Sequence, residues 1–327
     1  MKYYLSKLIS GESLTKIESE EALMKIGTGE ANSSQVASFL MGIQQKGIQV
    51  QELIGFRNAM LKLALNLDLA HFDAMDVCGT GGDGKDTFNI STTAAFVVAG
   101  AGQKVAKHGN HGVSSAVGSS TVLEYLGVKF SNDLAFLEDK IEKVGICYLH
   151  APLFHPAMRF VGPIRKELGI KTFFNILGPL LNPAKVQKQL TGVFDLKTFD
   201  LYYELFLQSN VKFGIVHALD GYDEVSLTGD FKFGNRNKIE VWQPNDLGFS
   251  VSNPESLSGG KSLEDSANIM LNILKNLGSL AQKNAVVANA GLALSVSNSI
   301  SLEEGLAKAL ESLESGAAYK CLEGLIA

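Results

Sequence analysis

The segment from Asp76 to Gly127 constrains the fold of this chain more than any other. It reads DVCGTGGDGKDTFNISTTAAFVVAGAGQKVAKHGNHGVSSAVGSSTVLEYLG and holds two successive strand–loop–helix units with glycine-rich loops. In the first, an apolar run ending at Val77 enters a loop carrying Gly79, Gly81, Gly82 and Gly84, four glycines in six residues. Glycines at this density allow backbone conformations that a Cβ forbids, and they let several amide N–H groups approach one ligand. Asn89-Ile90-Ser91-Thr92 then opens an alanine-rich helix, whose N-terminus offers unpaired donors and the positive end of a dipole. In the second unit, Gln103 to Ala106 predicts a short strand that delivers Lys107-His108-Gly109-Asn110. A Gly/Ser-rich loop from Gly112 to Ser120 leads into a helix ending near Gly127. Both loops have the composition of an anion site, and phosphates are the obvious guests.

Two widespread phosphate motifs come close and fail on particular residues. Gly79, Gly81 and Gly84 satisfy G-x-G-x-x-G after a strand, but the dinucleotide fingerprint expects an acid about 20 residues on to hold a ribose diol. The corresponding strand end carries Lys107. Gly79 to Asp86 lies within one residue of G-x-x-x-x-G-K-[ST], yet Asp86 stands where the metal-binding hydroxyl belongs. A carboxylate beside triphosphate oxygens would repel them.

The rest of the chain frames these loops. Residues 1 to about 68 read as all-helical, with periodic segments over Leu14-Thr15 to Ile26, from a cap at Ser33-Ser34 to Gly47, and over Val50 to Leu65. This block either completes the monomer's own core or packs on the same block of a second chain. From Asp76 onward, strands are expected at Val77, Val105, Lys129-Phe130, Ile146-Tyr148, Gly192-Phe194, Phe213-Val216 and Ala285-Ala288. The alternation with helices argues for an α/β domain with a mostly parallel central sheet. Pro163 to Pro183 breaks the rhythm with helical and Pro/Gly-rich elements. With 29 basic against 34 acidic residues, a net charge of -5 and no basic stripe, a nucleic-acid partner is disfavoured. Cys78, Cys147 and Cys321 have no metal spacing, which points to a reduced compartment. The start lacks a signal-peptide core and no run reaches a membrane span, so a soluble cytoplasmic protein without a membrane partner is expected.

The motifs GTGGDG, TFNIST, KHGN and GSS, in that order, resemble those of the anthranilate phosphoribosyltransferase family. The resemblance covers essentially the whole length, from LTKIESEEA and GEANSSQVASFLMGIQQKG to ANAGLALSVSNSISLEEGLAKALESLESGAA. It implies a small N-terminal helical subdomain (1–68, completed by about 163–185) and a larger α/β domain (69–327) that binds the phosphoribosyl donor. It implies transfer of the phosphoribosyl group of phosphoribosyl pyrophosphate (PRPP) to the amine of anthranilate in tryptophan biosynthesis, with Mg2+ and a homodimer. Two other readings differ in chemistry. A pyrimidine nucleoside phosphorylase-like enzyme would hold inorganic phosphate in the first loop, and a non-enzymatic nucleic-acid-binding relative would need a basic surface.

The resemblance also implies roles for individual residues. Gly79, Gly82 and Asp83, with Thr87 nearby, would meet the pyrophosphate. Asn89, Ile90, Ser91 and Thr92 would meet the 5′-phosphate end, and Lys107, Ser115 and Ser119 complete the donor site. Arg165 would contact the anthranilate carboxylate, which a guanidinium fork matches; taken alone, it reads as a surface Arg on an amphipathic helix. Asn110 would be the second acceptor contact, with Gly79, His108 and His155 along the wall, although either histidine could equally be structural. Asp223 and Glu224, with Ser91, would hold Mg2+. An Asp-Glu pair by itself is usually a solvated turn, and the surrounding GYDEVS after a His-containing strand end is what argues for metal. No residue is assigned as acid or base, because an aromatic amine is already neutral near pH 7 and can attack before it loses a proton. The sequence departs from the family at His111, where an Arg commonly follows the Asn.

Overall fold

The computed structural model describes residues 1–112 and 117–327. The chain divides into two units, Met1–Leu67 with Ala151–Pro183, and Asp68–His150 with Ala184–Ala327. The return to the first unit begins at Ala151, earlier than the interruption visible from Pro163. No helix among the described residues is long and apolar enough to cross a membrane.

The first unit is helical, built on Lys2–Ile9, Lys16–Gly27, Ser33–Lys46 and Val50–Leu63, with Ala151–Phe154 and Met158–Leu168 from the returning segment. Thr15 caps the second helix through Glu18 in a reciprocal capping box. The third is capped by Asn32, whose side-chain oxygen accepts from the Gln35 amide at 3.0 Å, so Ser33 and Ser34 already lie inside the first turn. Gly47, at φ +84°, stops that helix as its left-handed conformation requires. The sequence offers little sign of helix Lys2–Ile9, which is held from outside by Tyr4 Oη donating to Glu21 at 2.7 Å and by Lys7 against Glu18 at 2.9 Å. Phe56 and Phe173 stack with centroids 4.3 Å apart, and Phe39 meets Phe56 edge-on, tying the returning segment into one aromatic core.

The second unit carries a seven-stranded sheet in the order β3-β2-β1-β4-β5-β6-β7. Its strands are β1 Met75–Gly79, β2 Val105–Gly109, β3 Ile146–His150, β4 Lys188–Gly192, β5 Lys212–Ala218, β6 Phe231–Asn235 and β7 Ile239–Trp242. The pairs from β3 to β5 are all parallel, while β6 and β7 add an antiparallel edge. β1 lies between β2 and β4, so the connections diverge there and open a crevice beyond the carboxyl ends at Gly79, Gly109 and Gly192.

Three expected strands are corrected. Ala285–Ala288 belongs to the helix Leu280–Asn298, buried on every face from Ala285 to Leu294 and capped by Ser279. A short apolar run cannot distinguish a core strand from a core helix, and the Ser279–Gln282 capping box decides here. Lys129-Phe130 is irregular: the interval between Gly127, at φ +95°, and the Ser131–Asp133 turn leaves no length for pairing, and Phe130 stacks on His150 instead. The strand placed at Gly192-Phe194 is Lys188–Gly192, where buried Gln189 and Thr191 interrupt the apolar pattern.

Candidate phosphate and metal site

Three segments converge at the crevice of the α/β unit. The first loop leaves β1 with Gly81, Gly82 and Gly84 all at positive φ, between +62° and +81°. A Cβ on Gly81 or Gly84 would meet no atom within 4 Å, so the loop's outer face is open. Gly79 is the opposite case, because a Cβ there would lie 2.5 Å from Asp223 Oδ2. The loop is tied down at its far end, where Thr87 bridges to Ser258. The helix Ile90–Gly100 follows with Asn89 at its N-cap position; the Asn89 amide does not cap but donates to Val117 O at 3.1 Å.

The acidic pair arrives from the turn after β5. Gly221, at φ +100°, turns the chain back, and its N–H donates to Ala218 O. A Cβ on Gly192 would overlap the Asp223 backbone, so glycine at the end of β4 is what admits the turn. Asn289, on helix Leu280–Asn298, clamps the other side by accepting from Val225 N–H at 3.1 Å and donating to Val225 O at 2.9 Å. Lys85 lies 4.7 Å from the Tyr222 ring, which joins the glycine loop to this turn.

Asp223 accepts from Gly81 N–H at 2.6 Å and Glu224 from Ser91 N–H at 3.1 Å, so the acidic pair bonds both anion-type backbones. Both carboxylates are buried. Burial and the negative charge of Asp83 push Asp223 up to about 7 against the Gly81 hydrogen bond. Glu224 is raised by burial and by Asp223, and lowered by Lys107 and Ser91. Lys107 is 2% exposed and donates to Val77 O at 2.6 Å. Among the described residues neither carboxylate forms an ion pair, although Lys107 is near enough for its charge to lower Glu224. Two hard carboxylates beside the Ser91 hydroxyl suit an Mg2+-like ion. Among the described residues no three His, Cys, Asp or Glu side chains gather to hold a metal ion.

Other expected site residues fall as follows. Gly82 and Asp83 lie in the open loop, and Asp83 Oδ1 accepts from Lys85 N–H at 3.1 Å. Thr92 is buried, and the Ile90 side chain is part of the hydrophobic core, with its N–H given to Phe88 O. Ile90 therefore presents no side chain to a ligand. His108 is buried, its backbone N–H donating to Asp76 at 3.3 Å. Asn110 is exposed and its carbonyl accepts from Ser119 Oγ at 3.2 Å. Ser115 lies outside the described residues. His111 is exposed, with Nδ1 3.1 Å from Thr121 Oγ1.

Arg165 and His155 belong to the helical unit. Arg165 Nη2 donates to Asn175 Oδ1 at 3.2 Å and the guanidinium lies 5.3 Å from the Phe174 ring; its buried Nε has no hydrogen-bond partner among the described residues. Burial pushes the His155 imidazole down to about 4. Gly192 and Asn289, which hold the acidic turn, are not singled out by the sequence: Gly192 falls in an expected strand and Asn289 in the ANAGLALS segment, and neither context gives it a role at a site.

The glycosyl transferase family matches both parts of the chain, its helical bundle domain over residues 2–64 and its a/b domain over residues 71–319. The fold and the site thus define a two-part glycosyl transferase. The anthranilate phosphoribosyltransferase of Cytophaga hutchinsonii is 52% identical over 324 residues, covering 99% of each chain. That of Christiangramia forsetii is 51% identical over 325 residues, covering 99% of this chain and 98% of that one. The crystal structure of the Thermus thermophilus enzyme superposes with a TM-score of 0.93 at 35% identity, over 99% of this chain and 98% of that one. The Saccharomyces cerevisiae enzyme in complex with PRPP and Mg gives 0.91 at 28% identity, over 99% and 96%. The chain belongs to the anthranilate phosphoribosyltransferase family.

Proposed function

We propose that this enzyme transfers the phosphoribosyl group of PRPP to the amine of anthranilate, giving N-(5-phosphoribosyl)anthranilate and pyrophosphate, the step that serves tryptophan biosynthesis. The observation that carries the reading is the acidic turn, bonded at once to the open glycine loop through Asp223 and to the helix N-terminus through Glu224. A donor phosphorylated at both ends of its ribose needs two such anion sites with a cation nearby. Pyrophosphate lies against Gly79, Gly82 and Asp83 with Thr87 nearby, the 5′-phosphate end meets Asn89, Ser91 and Thr92, and Lys107 and Ser119 complete the donor contacts. Mg2+, held by Asp223, Glu224 and Ser91, neutralises charge on the phosphates when bound.

As the bond at C1 breaks, charge grows on the departing pyrophosphate. In this reading the positive charge of Lys107 and the N–H groups of the glycine loop stabilise it. Of the proposed acceptor contacts, Arg165 offers a guanidinium fork to the carboxylate and Asn110 a side-chain amide, and Gly79, His108 and His155 are the proposed ring contacts. No group in this account moves a proton at the amine, so positioning and electrostatics supply the rate. The exposed apolar side chains Tyr3, Ile9, Ile17 and Met41 of the helical unit support assembly as a homodimer, which light scattering would test. Anthranilate is fluorescent, so mixing the protein with anthranilate, PRPP and Mg2+ should extinguish the signal. Undiminished fluorescence with folded protein would overturn the proposal.

A further inference from the structure

Beneath the second glycine-rich loop lies a chain of hydroxyls that the reaction as described does not use. His150 Nδ1 is 2.8 Å from Ser120 Oγ, Ser120 Oγ is 2.8 Å from Tyr148 Oη, and Tyr148 Oη is 2.8 Å from Ser119 Oγ. Ser119 Oγ donates to Asn110 O at 3.2 Å, and Ser120 N–H donates to the same carbonyl at 3.1 Å. β2 and β3 place these groups together, since Gly109 and His150 are register partners at the strand ends.

Counting protons fixes the direction of this chain. Each hydroxyl has one hydrogen to donate, and a backbone carbonyl only accepts. The Ser119 hydrogen is committed to Asn110 O, so the bond between Ser119 and Tyr148 must use the tyrosine hydrogen. The bond between Tyr148 and Ser120 must then use the Ser120 hydrogen. Nothing remains for the last bond except a proton on His150 Nδ1. With the proton on Nε2 instead, one of the four bonds would set two lone pairs face to face.

We propose that His150 is a positioning residue of the donor site, carrying its proton on Nδ1 and fixing through Ser120 and Tyr148 the direction in which Ser119 presents its hydroxyl. This rests on the transfer reading only in giving Ser119 a donor phosphate to meet. Held as an acceptor toward Tyr148, Ser119 has its single hydrogen left to swing from Asn110 O onto an incoming oxyanion, which therefore meets a donor and never a lone pair. The surroundings keep both ends of the chain in the required state. Burial pushes the Tyr148 phenol up to about 12, so it stays protonated. His150 is buried, stacked on Phe130 at 4.6 Å and 5.0 Å from His111; burial first and then His111 lower its pKa, against Glu124, which keeps the ring neutral. For a neutral ring, the partner of one nitrogen decides which nitrogen bears the proton.

Long-range 1H–15N correlation on the ligand-free, histidine-labelled protein at pH 7.5 reads the tautomer directly. An unprotonated Nε2 on His150 is expected, and an Nε2–H pattern would overturn the assignment. In kinetics, His150→Phe keeps the stack on Phe130 but removes the Nδ1–H, and should raise the KM for PRPP about fivefold, the worth of about one hydrogen bond, with the anthranilate KM unmoved. His150→Asn, which returns an N–H near the Nδ1 position, should restore most of the loss. A donor KM unchanged in His150→Phe, or no rescue by Asn, would overturn the positioning role. Because the spectrum needs no substrate, an inactive wild type showing the Nδ1–H pattern would overturn the transfer reading and still support the proton assignment.

Discussion

Glu52 in the helical unit and the Asp223–Glu224 pair in the α/β unit are both buried carboxylates, and they are held in opposite ways. Glu52 has no accessible surface and a complete set of partners: the amides of Leu14 and Gln49 at 2.9 and 2.8 Å, and Lys46 Nζ at 2.8 Å. Asp223 accepts from the Gly81 N–H and Glu224 from the Ser91 N–H, while Lys107, whose charge lowers Glu224, donates its hydrogen bond to Val77 O. Burying a charge without its counter-charge is costly. The proposed Mg2+ would supply the counter-charge that this pair is short of. Arg165 is the same device with the sign reversed, a half-buried guanidinium whose pKa burial lowers and whose hydrogen bond goes to a neutral Asn175. A buried charge satisfied inside its own unit reads as structural, and one short of partners is the basis on which the ligand contacts above are proposed.

The largest effect expected from this contrast is at the acidic turn. Asp223→Asn combined with Glu224→Gln should cut Mg2+-dependent turnover about a thousandfold, roughly 4 kcal/mol of transition-state stabilisation. Thermal stability without metal should hold or rise, since the burial of two ionisable carboxylates is relieved. Retained Mg2+ dependence in a titration would break the comparison. Glu52→Gln should do the reverse. It leaves Lys46 buried without its acid and costs about 3 kcal/mol in urea unfolding, while activity per folded molecule stays at the wild-type level. A Glu52→Gln variant of wild-type stability would show that compensation was not the distinction.

The contrast also explains what the sequence could and could not reveal. The glycine loop, the helix opening at Asn89 and the third helix's stop at Gly47 are local, written in residues whose backbone demands are specific. The strand misread at Ala285–Ala288 and the polar interior of β4 fail because burial comes from tertiary packing, which a short window does not contain. Gly192 and Asn289 act on the acidic turn from distant parts of the chain, so no spacing announces them. The Asp-Glu pair was visible as residues, but its uncompensated burial is a three-dimensional property. The same holds for Ile90, which sits in a site motif and yet faces the core.

A smaller effect should separate the two units by substrate. Arg165→Ala should raise the anthranilate KM about thirtyfold, near 2 kcal/mol for a charged hydrogen-bonded contact. The PRPP KM should stay within about twofold, since the proposed contact of Arg165 is with the acceptor only. Equal rises in steady-state titrations of both substrates would remove Arg165 from acceptor recognition.

The smallest effect concerns pH and has opposite signs in the two units. Asp223 is raised, so the folded chain binds more protons there than the unfolded chain does, and this group adds stability as pH falls through about 7. His155 is lowered to about 4 by burial, against the hydrogen bond it makes with the Leu181 backbone. The unfolded chain therefore takes up the extra proton, so the contribution of His155 is complete above about 6.5 and is lost as pH falls toward 4. At pH 5 the loss should be about 1–2 kcal/mol. Hydrogen exchange of the helical unit's amides, compared at pH 7.5 and 5 after correction for intrinsic rates, should show that loss in the wild type and its absence in His155→Leu. An equal loss in both would place the acid sensitivity elsewhere, and the contrast between the units would then rest on their carboxylates alone.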